Sequence, residues 1–90
     1  MKHLTLIVHG KVQGVSFRAT TKAIANILKV NGIVKNQADG TVYIEAEGSP
    51  IDLENFIDWC NEGPENAVIE KVEQFEGDLK NYRNFEIVKK

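Results

Sequence analysis

The sequence predicts an α+β fold, two layers deep, with two helices on one face of an antiparallel sheet. Three observations carry this. Stretches at 4–8 and 42–46 place apolar residues at every second position, the period of a strand. Stretches at 17–28 and 53–60 place them at helical spacing instead. Turn residues stand between these stretches. Ninety residues with 42% hydrophobic composition suit one domain spanning 1–90.

Taken in order, Leu4, Leu6 and Val8 alternate with Thr5, Ile7 and His9, so the first strand is apolar on both faces and belongs inside the sheet. A loop follows at 10–15. From 17 to 30 the pattern is helical, with Phe17, Thr21, Ile24 and Leu28 in line, and Asn31-Gly32 stops it. A second strand runs over 33–36. The Asp39-Gly40 pair then supplies residues that tolerate positive φ, which marks a hairpin. The third strand, 41–47, points Val42, Ile44 and Ala46 one way and Thr41, Tyr43, Glu45 and Glu47 the other. Ser49 reads as a helix cap, Pro50 as the first helical residue and Asp52 as an acid at the positive helix start. Leu53, Phe56, Ile57 and Cys60 form the apolar stripe of that helix, which Gly63-Pro64 ends. A fourth strand lies at 68–75. There Ile69 and Val72 break strict alternation, as a bulge would make them do. A short last strand covers 85–88. The order βαββαβ, with this extra strand, describes a ferredoxin-like sandwich.

Charge and composition exclude several classes. The net charge is -2 with no long basic run, which argues against nucleic acid. No apolar stretch approaches the roughly 20 residues of a membrane span. Residues 1–8 do not form a secretory signal. The single cysteine, Cys60, makes no internal disulfide and fits a reducing cytoplasm. A monomer is the default for so small a chain with a mixed surface.

The chemistry is expected between positions 10 and 18. A strand ends, a loop with two glycines follows, and a helix opens at Phe17-Arg18. Glycines let successive backbone N–H groups converge, and a helix start adds free N–H groups and partial positive charge. Together they suit a phosphate-like anion, which Arg18 can grip as a fork. By spacing alone, the same residues also describe an ordinary connection with a surface arginine. Neither standard nucleotide motif, GxxxxGK followed by Ser or Thr, nor GxGxxG, is present.

The run Gly10-Lys11-Val12-Gln13-Gly14-Val15-Ser16-Phe17-Arg18 resembles the acylphosphatase signature G-x-V-Q-G-V-x-F/Y-R at every fixed position. A second signature of that family falls on 32–48, where Gly32, Val34, Lys35, Asn36, Gly40, Val42 and Gly48 match. Ile33 departs, since the family usually has an aromatic residue there. Gly63-Pro64 with Ala67, and Phe85 with Ile87, resemble weaker family features, so the resemblance covers about residues 4 to 88. It implies a hydrolase that cleaves the carboxyl–phosphate bond of acyl phosphates with no metal or cofactor. It also implies that Gly10, Lys11, Val12, Gln13, Gly14, Val15, Ser16 and Phe17 cradle the phosphate, that Arg18 offsets its charge and that Asn36 holds the attacking water. Inorganic phosphate would then be a product and a competitive inhibitor. The Ile33 departure bears on packing beside the site more than on the chemistry.

Other residues have plainer readings. His3 and His9 share a strand face but stand roughly 20 Å apart at about 3.3 Å per residue, too far for one metal, and read as solvent-facing or strand-end side chains. Glu45 and Glu47 read as a solvated strand face. Cys60 reads as core, and Trp59, off the apolar stripe, as partly exposed packing. Ser16 and Thr20 flank the arginine and can touch the anion or support the loop. Two functions besides the hydrolase share these features: a binding domain that keeps the cradle without turnover, and an RNA-recognition module. The last needs aromatics on the third strand and a basic surface, whereas Tyr43 sits there beside Glu45 and Glu47.

Overall fold

A strand that is apolar on one face must bury that face, and here two helices cover it. The computed structural model describes residues 1–14 and 16–89. The elements run β1 (Lys2–Lys11), α1 (Phe17–Ile27), β2 (Asn31–Asn36), β3 (Val42–Gly48), α2 (Pro50–Glu62), β4 (Val68–Gly77) and β5 (Phe85–Val88). The strands form one sheet in the order β4-β1-β3-β2-β5. Neighbours among the first four are antiparallel, and β5 lies parallel to β2 at the edge. The ferredoxin-like order expected from the sequence is therefore present, with one parallel pair added.

The alternation in β1 and β3 decides what is buried. Leu6, Val8, Val42, Ile44 and Ala46 are fully enclosed and meet Ala25 of α1 and Leu53, Phe56 and Cys60 of α2. Each large side chain so buried contributes about 1.5–3 kcal/mol. Phe56 also packs against Phe85, ring centroids 6.0 Å apart, which fastens β5 to the core. Cys60 is part of this core as expected, and burial pushes its thiol far above the ordinary value, so it stays protonated and unreactive.

The irregularity at Ile69 and Val72 is a bulge. His9 pairs with Lys71 but Gly10 pairs with Ile69, so Glu70 is the extra residue. The bulge lets both Ile69 and Val72 pack against the core.

The strand registers orient the sheet. The last residues of β1 and β2 and the first of β3 and β4 share one end; the residues after β5 reach it too. We call it the mouth. At the far end, residues 78–84 cross the sheet face that the helices leave open. There the structure corrects the sequence reading. His3, Glu45 and Glu47 are not solvent-facing but 4%, 4% and 1% exposed. Glu47 accepts from His3 Nδ1 (2.7 Å), Lys80 N (2.6 Å) and Tyr82 N (3.0 Å). Glu45 accepts from the hydroxyls of Tyr43 and Tyr82, both at 2.8 Å, and pairs with Lys80 Nζ at 2.8 Å. Burial alone would raise both carboxyls. The donors from Lys80, Tyr82 and Tyr43 hold Glu45, and those from Lys80, His3 and Tyr82 hold Glu47, below the usual carboxylate value.

Candidate functional site

The mouth is built from the loop after β1, the start of α1 and the end of β2. The loop is shorter than the sequence suggested. Gly10 and Lys11 are still strand, paired with Ile69 and Val68 of β4. Gly10 is required there for a steric reason: at φ +133° a Cβ would stand 2.0 Å from the Val68 carbonyl oxygen. Gly14, at φ +75°, faces open space and serves the turn through its backbone freedom.

Val12, Gln13 and Phe17 are each pinned. Val12 and Phe17 are buried, and Phe17 tilts against Trp59 with ring centroids 5.6 Å apart. Gln13 Nε2 donates to the carbonyls of Gln37 (2.8 Å) and Thr41 (2.9 Å). Its side chain thus ties the loop to the β2–β3 hairpin. The hairpin is itself held by Asp39 Oδ1, which accepts from Thr41 N and Thr41 Oγ1. Those two bonds keep the Asp39 carboxyl below its ordinary value. Val15, expected in the cradle, lies outside the described residues.

Ser16 takes the N-cap position of α1 in left-handed backbone, φ 61° and ψ 24°, and its side chain caps nothing. A residue other than glycine in that region costs about 1–2 kcal/mol. The first turn also carries no acidic side chain. The N–H groups at the start of α1 therefore lack a capping acceptor among the described residues, and the positive end of the helix dipole is unopposed. Thr20 Oγ1 donates to the Ser16 carbonyl at 2.9 Å, so this hydroxyl supports the loop.

Arg18 and Asn36 come together. Both line a pocket of about 290 Å³, with Val12, Gly14, Ser16, Phe17, Ala19, Ile87 and Lys89. Among the described residues Arg18 makes no ion pair within 4.0 Å. Asn36 Oδ1 is buried and has no hydrogen-bond partner among the described residues. Leaving a buried acceptor unsatisfied costs about 1–3 kcal/mol. A polar group kept in that condition beside an unpaired guanidinium is arranged for something other than stability.

Lys89 and Ile87 were missed by the sequence reading. Neither belongs to the glycine loop, and only the parallel pairing of β5 on β2 brings them to the pocket. His9, near in sequence, does not line it; its Nε2 stands 2.6 Å from Glu73 Oε1 on the open sheet face. A larger groove, about 560 Å³, lies between α2, β1 and β4, lined by residues such as Lys2, Leu53, Ile57 and Glu76. Charges of both signs line it, and among the described residues no buried unsatisfied polar atom points to a ligand there.

A family model described as Acylphosphatase matches residues 4–87. The chain belongs to the acylphosphatase family. Its relatives agree over the full fold. The acylphosphatase of Ligilactobacillus salivarius is 47% identical over 89 residues, which is 97% of this chain and 98% of that protein. The crystal structure of acylphosphatase from Bacillus subtilis superposes with a TM-score of 0.95 at 35% identity, covering 98% of this chain and 99% of that one. The crystal structure of full-length HypF in its phosphate- and nucleotide-bound form matches at TM-score 0.87 and 34% identity. It covers 98% of this chain but only 12% of the HypF chain. Acylphosphatases are hydrolases of acid anhydrides, and acyl phosphate hydrolysis is the family's function. No helix among the described residues is long and apolar enough to cross a membrane.

Proposed function

We propose that this chain hydrolyses acyl phosphates by direct attack of a water held by Asn36 on a phosphoryl group held by Arg18 and the 10–17 segment, Val15 included. The observation that carries the reading is the pocket in which a guanidinium and a buried amide oxygen, both without partners among the described residues, occur together.

The chemistry asks little of the protein. An acyl phosphate is a mixed anhydride, and its leaving group is a carboxylate that departs without protonation. No general acid is needed. What remains is to place the nucleophile and to neutralise charge on the transferring phosphoryl group. The uncapped start of α1 and Arg18 do the second. Asn36 does the first, since its side-chain oxygen accepts from water and its amide donates. Water attacks phosphorus in line as the bond from phosphorus to the bridging acyl oxygen breaks. The substrate's own phosphate oxygens take the water proton, and inorganic phosphate and a carboxylate leave. Gln13 acts through the loop it ties to the hairpin, while Gly10 and Lys11 support the loop from within β1. We further propose a single monomeric domain over 1–90, resident in the cytoplasm, with inorganic phosphate as a competitive inhibitor.

The test is hydrolysis of a simple aryl acyl phosphate in excess chelator, with inorganic phosphate as competitor. Turnover should survive the chelator, and phosphate should raise KM without lowering kcat. Arg18→Ala should abolish most substrate and phosphate binding, while Asn36→Ala should mainly lower kcat. Wild-type rates in both variants would overturn the assignment.

A further inference from the structure

The pocket is electrostatically one-sided. Of the described residues that line it, two are cationic, Arg18 and Lys89, and none is acidic. Neither cation forms an ion pair among the described residues. The two arrive from opposite walls. Arg18 belongs to α1, on the helix layer. Lys89 follows Val88, which pairs with Lys35 of β2, so its backbone stands at the edge of the sheet layer beside Asn36. The rest of the lining is uncharged, with Val12, Phe17, Ala19 and Ile87 apolar and Ser16 and Asn36 polar.

A phosphoryl group seated at the start of α1 already has Arg18 and the free helix N–H groups. Lys89 stands on the sheet-edge wall, apart from the helix start, and is the cation left for the acyl part of the substrate. The volume, about 290 Å³, is at the small end for ligand pockets, which run from about 300 to 1,000 Å³. A long acyl chain does not fit inside it. A lysine on its flexible four-carbon stem acts as a movable point charge, which suits a short anion whose position varies, whereas the arginine fork suits a fixed phosphate.

We propose that Lys89 forms a second anion subsite and biases the enzyme towards small acyl phosphates whose acyl group carries its own negative charge. This rests on the hydrolase reading above and names the substrate class within it. Lys89 here is a specificity residue; no bond is made or broken through it.

The experiment compares two acyl phosphates of equal carbon number and similar shape. Fumaroyl phosphate carries a free carboxylate and is too rigid to cyclise. Crotonyl phosphate has a methyl group in its place. The ratio of kcat/KM, fumaroyl over crotonyl, is measured for the wild type, Lys89→Met and Lys89→Arg, with thermal melts to confirm folding. A partly exposed charge pair strengthened by a charge-assisted hydrogen bond leads us to expect the ratio to fall about 5–10-fold in Lys89→Met, mainly through KM. Lys89→Arg should keep most of it. Raising the salt should lower the wild-type ratio and leave that of Lys89→Met flat. An unchanged ratio, with equal loss on both substrates or none, overturns the subsite. Hydrolysis of neither substrate by the wild type overturns the hydrolase reading itself, and the subsite with it.

Discussion

The two ends of the sheet treat polar groups in opposite ways. At the far end Glu45 and Glu47 are buried, and donors from His3, Tyr43, Lys80 and Tyr82 occupy their oxygens. The helix that starts there, α2, is capped: Ser49 Oγ accepts from Asp52 N at 3.2 Å, Pro50 follows the cap and Asp52 supplies an acid. At the mouth, among the described residues, the helix start has no cap and no acid, Arg18 has no carboxylate partner and Asn36 Oδ1 is an orphan. Both ends bury polar atoms, so burial alone does not distinguish structure from function. Satisfaction does. Complete hydrogen bonding marks the end that holds the fold, and incomplete hydrogen bonding marks the end prepared for a ligand.

Substitutions at the two ends should therefore separate stability from activity. The largest effect belongs to Glu47→Ala. It strands His3 and two backbone N–H groups under the 78–84 segment and should cost about 3–5 kcal/mol, read by urea unfolding. A loss below 1 kcal/mol would mean that the cluster contributes little to holding the fold. Arg18→Gln should do the reverse. It removes charge from the phosphoryl site and lowers kcat/KM about 10²–10³-fold. Its unfolding curve should stay within about 0.5 kcal/mol of wild type. Next is Gln13→Ala, which cuts the tie to Gln37 and Thr41. The expected cost is about 1–2 kcal/mol, with a higher KM as the loop loosens.

Acid should weaken the far end. Glu45 and Glu47 are held below the ordinary carboxylate value when folded, so the unfolded chain binds these protons more readily. Their contribution is complete above the unfolded value of about 4.3 and is lost as pH falls through the folded values. The stability gap between wild type and Glu47→Gln should accordingly narrow from pH 7 to pH 3. A gap constant with pH would show that the carboxylate charge is not what holds the strap. The smallest effect is Ser49→Ala, which removes the α2 cap and should cost about 1 kcal/mol without changing kcat.

Local pattern was enough for the element order. Period-two alternation named β1 and β3, the i, i+3, i+4 and i+7 stripe named α2, and Asp39-Gly40 named the hairpin. Even the bulge on β4 was visible as a broken alternation at Ile69 and Val72. The loop motif with Arg18 and Asn36 carried the family, because those residues are close in sequence or fixed by spacing. Gly10 was legible as a special residue but not for its actual cause, a close approach of β4 from a distant part of the chain.

What the sequence by itself determined is where strands, helices and turns lie and which short motif carries the chemistry, since both depend on neighbours a few positions apart. Only the tertiary structure decided that Glu45 and Glu47 are buried, because Lys80 and Tyr82, which cover and bond them, are 33 to 37 residues further along. It alone also brought Ile87 and Lys89 to the pocket, through a parallel pairing that no local periodicity encodes. A solvated strand face and a covered one have the same alternation; the difference lies in which distant segment crosses over it.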